Sequence, residues 1–536
     1  MEGNGGGEFR FLIVKPENGG IWDALRFGVL GDKQSGAKFL QSSSYGIIRK
    51  ELQGVSGYDG DGDGGGGGDG DGEDPAHIWV IFVSIVVRKL LALFRKPLEW
   101  TGYLLEFILN LISLNGTFFA FLYKLFHGQL VMPQRGSETY ISAIGHLDGR
   151  IDLSKSEDPD FWKKNVPLEP GNRALMDLCM VASKLAYENE NVIRNVVNLH
   201  WRMHFVDFYN CWNDYQQESS TQVFILSDKP KDANLILVGF RGTEPFDADD
   251  WGTDFDYSWY EIPEMGKVHM GFLEAMGLGN RKDVSTFQEQ LFVKNAKSGS
   301  AESSEPSSML FSDSDENNGS HNSKKPNDAG KEEFSAYYTV RMKLKSLLRE
   351  HENAKFVVTG HSLGGALAIL FPTVLAMHKE EEMMKRLLGI HTFGQPRIGN
   401  RQLGRYMEEH LNQPAPRYFR TVYCNDLAPR LPYDDKTFLY KHFGVCLYYN
   451  SVYIEQRVDD EPNPNYFGIR FLIPMYLNAV WELIRGLMIG YIHGSAYKES
   501  WESILWRIVG LFIPGIAAHS PVDYVTSIRL GRERQN

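Results

Sequence analysis

Read for its apolar and polar positions, the chain divides into short continuous apolar runs and longer stretches of helical period. Gln222–Leu226, Asn234–Phe240, Phe356–Thr359, Leu388–Phe393 and Tyr418–Tyr423 are runs of apolar and β-branched residues that predict buried strands. Leu168–Tyr187 and Tyr337–Arg349 read as helices, and Ala366–Ala376 is good helix-forming sequence interrupted only by Pro372. Strands alternating with helices imply a parallel-rich α/β sheet. Asn195–Tyr215 is rich in aromatics, and Phe467–Tyr491 and Trp501–Ala518 are strongly apolar. The last two are broken by Arg470, Glu482, Arg485 and Arg507, charges that predict amphipathic or buried helices over bilayer spans.

Three stretches depart from this pattern. Residues 1–75 lack core-forming periodicity and end in DGDGDGGGGGDGDGE at Asp59–Glu73, read as a flexible acidic linker. Asp59, Asp61 and Asp63 imitate the start of a calcium loop, but Gly70 stands where the last ligand should be. No Gly-Lys-Ser/Thr follows to make a phosphate loop. Ile78–Phe126 has two apolar arms around Arg88, Lys89, Arg95, Lys96 and Pro97, the pattern of a segment lying in or dipping into a lipid surface. On that reading, charging Ile81, Val83 and Val87 should release the protein from lipid. A helical pair packed on the rest of the chain, or a span from Phe107 to Tyr123, fits the same residues. Lys294–Glu333 is polar and charged and predicts a disordered surface insertion. The expected organisation is a flexible region at 1–75, an apolar anchor at 76–135 and a catalytic domain at 136–530 carrying an insertion at 294–333.

Composition narrows the function. A net charge of −12 argues against nucleic acid as a partner. Cys179, Cys211, Cys424 and Cys446 form no C-x-x-C pair, so neither zinc nor a disulfide framework is suggested. MEGNGGGEFRF lacks a basic region followed by an apolar one, so an intracellular protein is expected, with the sequons at Asn115 and Asn318 unmodified. His200 and His204 are four apart, but Trp201 stands where a zinc protease needs glutamate, so both read as structural.

The chemistry centres on Gly360-His361-Ser362-Leu363-Gly364. It fits G-x-S-x-G and sits between a strand and a helix, the context that makes the motif a nucleophile elbow. A serine hydroxyl needs a general base, and the base needs a carboxylate to orient it. In hydrolases of this order the acid comes next and the histidine last. Asp426, just past a strand, is the candidate acid, with Asp434 and Asp435 as rivals; His442, His493 and His519 are the candidate bases. The backbone N–H of Leu363 can serve an oxyanion, with Gly242-Thr243 as the second donor. Pro245–Tyr260 mixes large aromatics with aspartates and is expected to be a lid that swings onto lipid, or else a fixed aromatic wall.

Together these residues resemble the class 3 lipases, the α/β-hydrolase family of fungal triacylglycerol lipases and their plant relatives. The resemblance runs through GFRGT at Gly239–Thr243, VHMGF at Val268–Phe272, the elbow, FGQPRIG at Phe393–Gly399, Asn425-Asp426 with Pro429 and Leu431-Pro432, and His519 with Tyr524. It implies Ser362 as nucleophile, Asp426 as orienting acid, His519 (over His442) as base, and Thr243 with Leu363 as oxyanion donors. It implies no metal and no cofactor. The apolar N-terminal segment and the long gap from Asp426 to His519 look most like the plant oil-body lipases. The expected activity is hydrolysis of triacylglycerol through an acyl-enzyme, at a lipid-droplet or other intracellular membrane surface, with the catalytic domain facing the cytosol. A phospholipase A1 or galactolipase and a non-catalytic lipid-surface scaffold are the competing readings; a homo-oligomer is left open.

Overall fold

The computed structural model describes residues 9–44, 47–48, 76–116, 118–153, 169–293, 335–433, 439–466 and 468–533. The acidic linker, the insertion at 294–333, Asn318, Asp434 and Asp435 lie outside them. In chain order the strands are β1 (Phe11–Val14), β2 (Leu40–Ser42), β3 (His204–Asn213), β4 (Glu218–Ser227), β5 (Leu235–Phe240), β6 (Trp259–Ile262) and β7 (Gly266–His269). They continue as β8 (Lys355–His361), β9 (Leu387–Phe393), β10 (Tyr418–Tyr423), β11 (Val445–Tyr449), β12 (Ile454–Val458) and β13 (Arg532–Glu533).

One sheet runs β13-β12-β11-β10-β9-β8-β5-β4-β3. Its centre, from β5 through β8, β9 and β10 to β11, is parallel, and β3, β4 and β12 join antiparallel. Side chains on the central strands alternate between two cores, as period two demands. Ile236, Val238, Phe356, Val358 and Ile390 enter one core with the helices Ala336–Glu350 and Leu363–Met377. Leu235, Leu237, Val357 and Leu388 enter the other with Arg173–Leu185 and Pro521–Leu530. Both faces are covered, which is why these strands read as unbroken apolar runs. This is the α/β-hydrolase arrangement, and the predicted strands fall within a few residues of the observed ones.

The N-terminal expectations need correction. Residues 9–44 are not a flexible lead: β1 pairs with β6 (Leu12 opposite Trp259), making a second, antiparallel sheet ordered β2-β1-β6-β7. The pairing joins residues almost 250 apart, and no local pattern announces it. Ala76–Asn115 is one continuous helix through Pro97, not two arms around a break. Val80, Ile81 and Ile85 are buried against β1, Phe27 and Trp259. Arg88 donates to Asp256 Oδ1 (2.7 Å) and to the Val14 carbonyl (2.9 Å), Lys89 to the Gly19 carbonyl (2.6 Å), and Arg95 pairs with Asp249 at 2.8 Å. Each fully buried branched apolar side chain contributes roughly 1.5–3 kcal/mol, more than the ~1 kcal/mol of a basic residue near anionic lipid. The first half of this helix is therefore part of the folded core, as the packed alternative had it. Charging Ile81 should unfold it rather than merely release it from lipid.

No single span joins Phe107 to Tyr123 either. The helix stops at Asn115, whose side chain bonds the Leu111 and Val131 carbonyls and the Val131 N–H, and Gly116 turns the chain at φ +91°. The same bonding leaves the Asn115 side chain fully buried. Among the described residues, the helix long and apolar enough to cross a membrane is instead C-terminal, Ile469–His493.

Candidate functional site

β8 delivers His361 and the helix Leu363–Met377 begins immediately after Ser362, so the serine sits on the turn itself. Its backbone is held at φ 58°, ψ −134°, a conformation that side chains rarely adopt and that stores strain. Gly360 and Gly364 make the turn fit. A Cβ on Gly360 would lie 2.1 Å from the Gly364 carbonyl oxygen, and one on Gly364 would lie 2.4 Å from that of Phe240. Leu363 opens the helix, where N–H groups have no intrahelical carbonyl to bond.

The C-terminal residues reach this turn from two directions. Ser362 Oγ lies 2.7 Å from His519 Nε2, and His519 Nδ1 lies 2.8 Å from Asp426 Oδ2. Asp426, fully buried at the end of β10, accepts the Nδ1 proton and thereby leaves Nε2 bare to accept from the serine. The Ala428 N–H holds the other carboxylate oxygen at 2.9 Å. Tyr524, five residues beyond His519 in the helix Pro521–Leu530, donates its hydroxyl to the same Oδ2 that holds the histidine. Burial and the adjacent carboxylate push the Tyr524 phenol well above its usual range, so it stays a donor.

His361 stacks on His519, ring centroids 4.6 Å apart, and donates Nε2–H to the His519 carbonyl at 3.0 Å. The Tyr187 hydroxyl caps its Nδ1 at 2.9 Å. Burial first, then the neighbouring His519, drives the His361 pKa far down, so it stays neutral and adds no positive charge beside the reacting imidazole.

Thr243 follows β5 and lies buried beside the turn. Its Oγ1 stands 3.0 Å from Asp254 Oδ2. Burial raises the Asp254 carboxyl to about 7, only partly opposed by Thr243 and His519, and its other oxygen is buried with no hydrogen-bond partner.

Above these groups lies a cavity of about 230 Å³ walled by Leu109, Phe246, Trp251, Leu505, Trp506 and Val509, with Thr243, His361 and His519 at its base. The Trp251 ring meets the His519 ring edge-on at 6.4 Å. Ser362 is only 1% exposed. The volume is below the ~300–1,000 Å³ of ligand clefts. Part of that wall, Pro245 to Phe255 with the helix Ala248–Asp254, is gripped from outside by the N-terminal helix: Phe246 abuts Gly102, and Asp249 pairs with Arg95.

Of the sequence-predicted residues, Ser362, His519, Asp426, Thr243 and Leu363 converge. His442 does not: it lies buried with Nε2 on the Pro429 carbonyl at 2.7 Å. His493 is exposed at the end of Ile469–His493. His200 lies in a short π-helical turn and His204 opens β3. The four cysteines are buried and free. Sequence reasoning gave no role to Tyr524, Asp254 or the Tyr187–His361 pair. Tyr524 was within reach as part of the His519 motif, but no spacing rule announces a bond to Asp426, 98 residues away.

Residues 237–436 match the family model described as lipase (class 3). The chain is similar to a triacylglycerol lipase OBL1 of Nicotiana tabacum, 66% identical with 99% of this chain and 96% of that protein covered. It is also similar to a triacylglycerol lipase OBL1 of Arabidopsis thaliana, at 54% identity over 99% of this chain and 97% of that protein. Among solved structures it is similar to a Rhizomucor miehei lipase propeptide complex, at TM-score 0.35 and 18% identity, covering 55% of this chain and 74% of that one.

Proposed function

The chain belongs to the class 3 lipase family and is a triacylglycerol lipase; from that premise we propose that it acts at a lipid-droplet or membrane surface through Ser362, His519 and Asp426. The observation that carries this reading is the hydrogen-bonded line from Ser362 Oγ to His519 to Asp426, at 2.7 and 2.8 Å, with His519 lining an apolar cavity. Ser362 Oγ attacks the ester carbonyl while His519 Nε2 takes its proton, and Asp426 steadies the imidazolium. The oxyanion is held by the Leu363 N–H and by Thr243. His519 then passes the proton to the departing glycerol oxygen, leaving the acyl chain on Ser362. Water, activated by the same imidazole, releases the fatty acid. Trp251 and Phe246 provide an apolar lining suited to acyl chains, and the wall they belong to acts as the lid.

The test is product analysis of the purified full chain on emulsified triolein, phosphatidylcholine and galactolipid. Fatty acid and diacylglycerol should appear from triolein, with Ser362→Ala lower by several orders of magnitude. Preferential release from phosphatidylcholine or galactolipid would contradict the substrate assignment. Equal activity in Ser362→Ala would contradict the mechanism.

A further inference from the structure

The helix Ile469–His493 is inverted relative to a surface helix in water, which turns polar residues outward. Its internal charges face the protein. Glu482 accepts from the Tyr423 hydroxyl at 3.1 Å, and Arg485 bonds that hydroxyl at 2.7 Å and Asp523 at 2.6 Å. Outward it presents Ile473, Leu477, Ile484, Leu487, Met488 and Tyr491, all exposed, and no charged residue is exposed between Phe471 and Ile492.

The following helix, Trp501–Gly510, repeats the arrangement. Arg507 is buried on Glu499 and Asp523, while Leu505, Ile508 and then Phe512 are exposed. An exposed apolar patch of this extent marks a partner or a lipid phase.

Two observations say which. The patch meets the cavity: Leu505 and Val509 are exposed and also line it, as does the exposed Leu105 of the N-terminal helix. A protein seated on the patch would cover the opening through which acyl substrate must pass, whereas a lipid phase would feed it. The helix is also seated lengthwise on the domain through Met475, Ala479, Glu482, Gly486 and Ile489, spaced three and four apart. A helix with one side occupied by protein over four turns lies flat in an interface rather than crossing it.

We infer that the outer faces of Ile469–His493 and Trp501–Ile513 are the surface by which the enzyme docks on phospholipid-coated triacylglycerol droplets, with the cavity mouth pressed against the lipid. This rests on the lipase reading and adds a docking element at the C-terminal end, away from the N-terminal stretch where the sequence suggested one. Because no charged residue is exposed on the long helix between Phe471 and Ile492, docking there needs neither anionic lipid nor low salt.

The test is flotation of the full chain with triolein droplets coated in phosphatidylcholine, alongside hydrolysis of triolein in those droplets and of a soluble short-chain ester. The variant is the triple Leu477→Glu, Ile484→Glu and Met488→Glu, which touches neither the catalytic residues nor the cavity wall. Flotation and triolein hydrolysis should fall at least tenfold, while soluble-ester turnover stays within twofold. If soluble-ester turnover collapses as well, the triple Leu477→Gln, Ile484→Gln and Met488→Gln decides by the same comparison. Undiminished flotation of a folded variant would overturn the inference. So would wild-type flotation that requires anionic lipid and vanishes in salt. A wild-type dimer that the substitutions split without loss of flotation would assign the face to a second copy. A wild type that floats by this face but leaves triolein intact would refute the substrate reading and leave the docking face standing.

Discussion

At the scale of single residues, the oxyanion side of the site should respond to pH through Asp254. Its carboxyl is raised to about 7 by burial, so it is neutral on the acid side of that value and can donate to Thr243 Oγ1. The Thr243 hydroxyl proton is then free for the oxyanion. Above about 7 the carboxylate claims that proton, and loss of one such donor costs on the order of 10²–10³ in kcat. Wild-type kcat should therefore fall as pH rises through about 7, and Asp254→Asn, whose amide still donates to Thr243, should lack that limb. Profiles that fall together would refute the coupling. Stability gives a second readout. A carboxyl raised in the folded state favours folding most when the unfolded chain is also protonated, and that contribution is lost as pH climbs from about 4 to 7. The Asn variant should gain stability relative to wild type over that window. Tyr524→Phe tests the acid. It removes a hydrogen bond to a charged group, worth about 1.5–3 kcal/mol, so kcat should fall roughly ten- to hundredfold with KM little changed. A drop in thermal stability with unaltered kcat would make Tyr524 merely structural.

At the scale of elements, the long N-terminal helix has a packed first part and an exposed middle around Leu93, Phe94 and Trp100, and substitutions should divide with it. Ile81→Glu places a charge in the core with β1 and Trp259, and should lose about 3–5 kcal/mol and with it activity on every ester. Leu93→Glu, on a residue 70% exposed, should change stability by no more than about 0.5 kcal/mol. Equal effects in thermal melts would contradict the division. The elbow was legible from sequence because strand, glycines, serine and helix are contiguous, and the parallel strands because burial on both faces leaves unbroken apolar runs. The second sheet was not legible, since β1 finds β6 only through tertiary packing. The outward apolar face of Ile469–His493 was hidden for a different reason: Glu482 and Arg485 mark a helix as charged, but only their bonds to Tyr423 and Asp523 reveal that they point inward.

At the scale of the whole molecule, the proposed catalytic machinery is assembled from distant parts of the chain. The proposed nucleophile and acid lie just past the ends of β8 and β10, two strands of the parallel sheet with β9 between them. The histidine returns after two helices tied to the domain by Arg485, Arg507 and Asp523. The N-terminal helix crosses the segment over the site, holding Phe246 and Asp249. If that segment is a lid, rates on one short-chain ester should jump when its concentration passes the solubility limit; a smooth saturation curve would make the segment a fixed wall. The central claim is that Ser362 carries the acyl group, and covalent trapping tests it most directly. Purified full-length protein treated with a long-chain alkyl phosphonate ester, digested and mapped by mass spectrometry, should carry one adduct, on the peptide containing Ser362, in proportion to activity lost. Inactivation with the adduct on another residue, or undiminished triolein hydrolysis with Ser362 fully modified, would contradict the account.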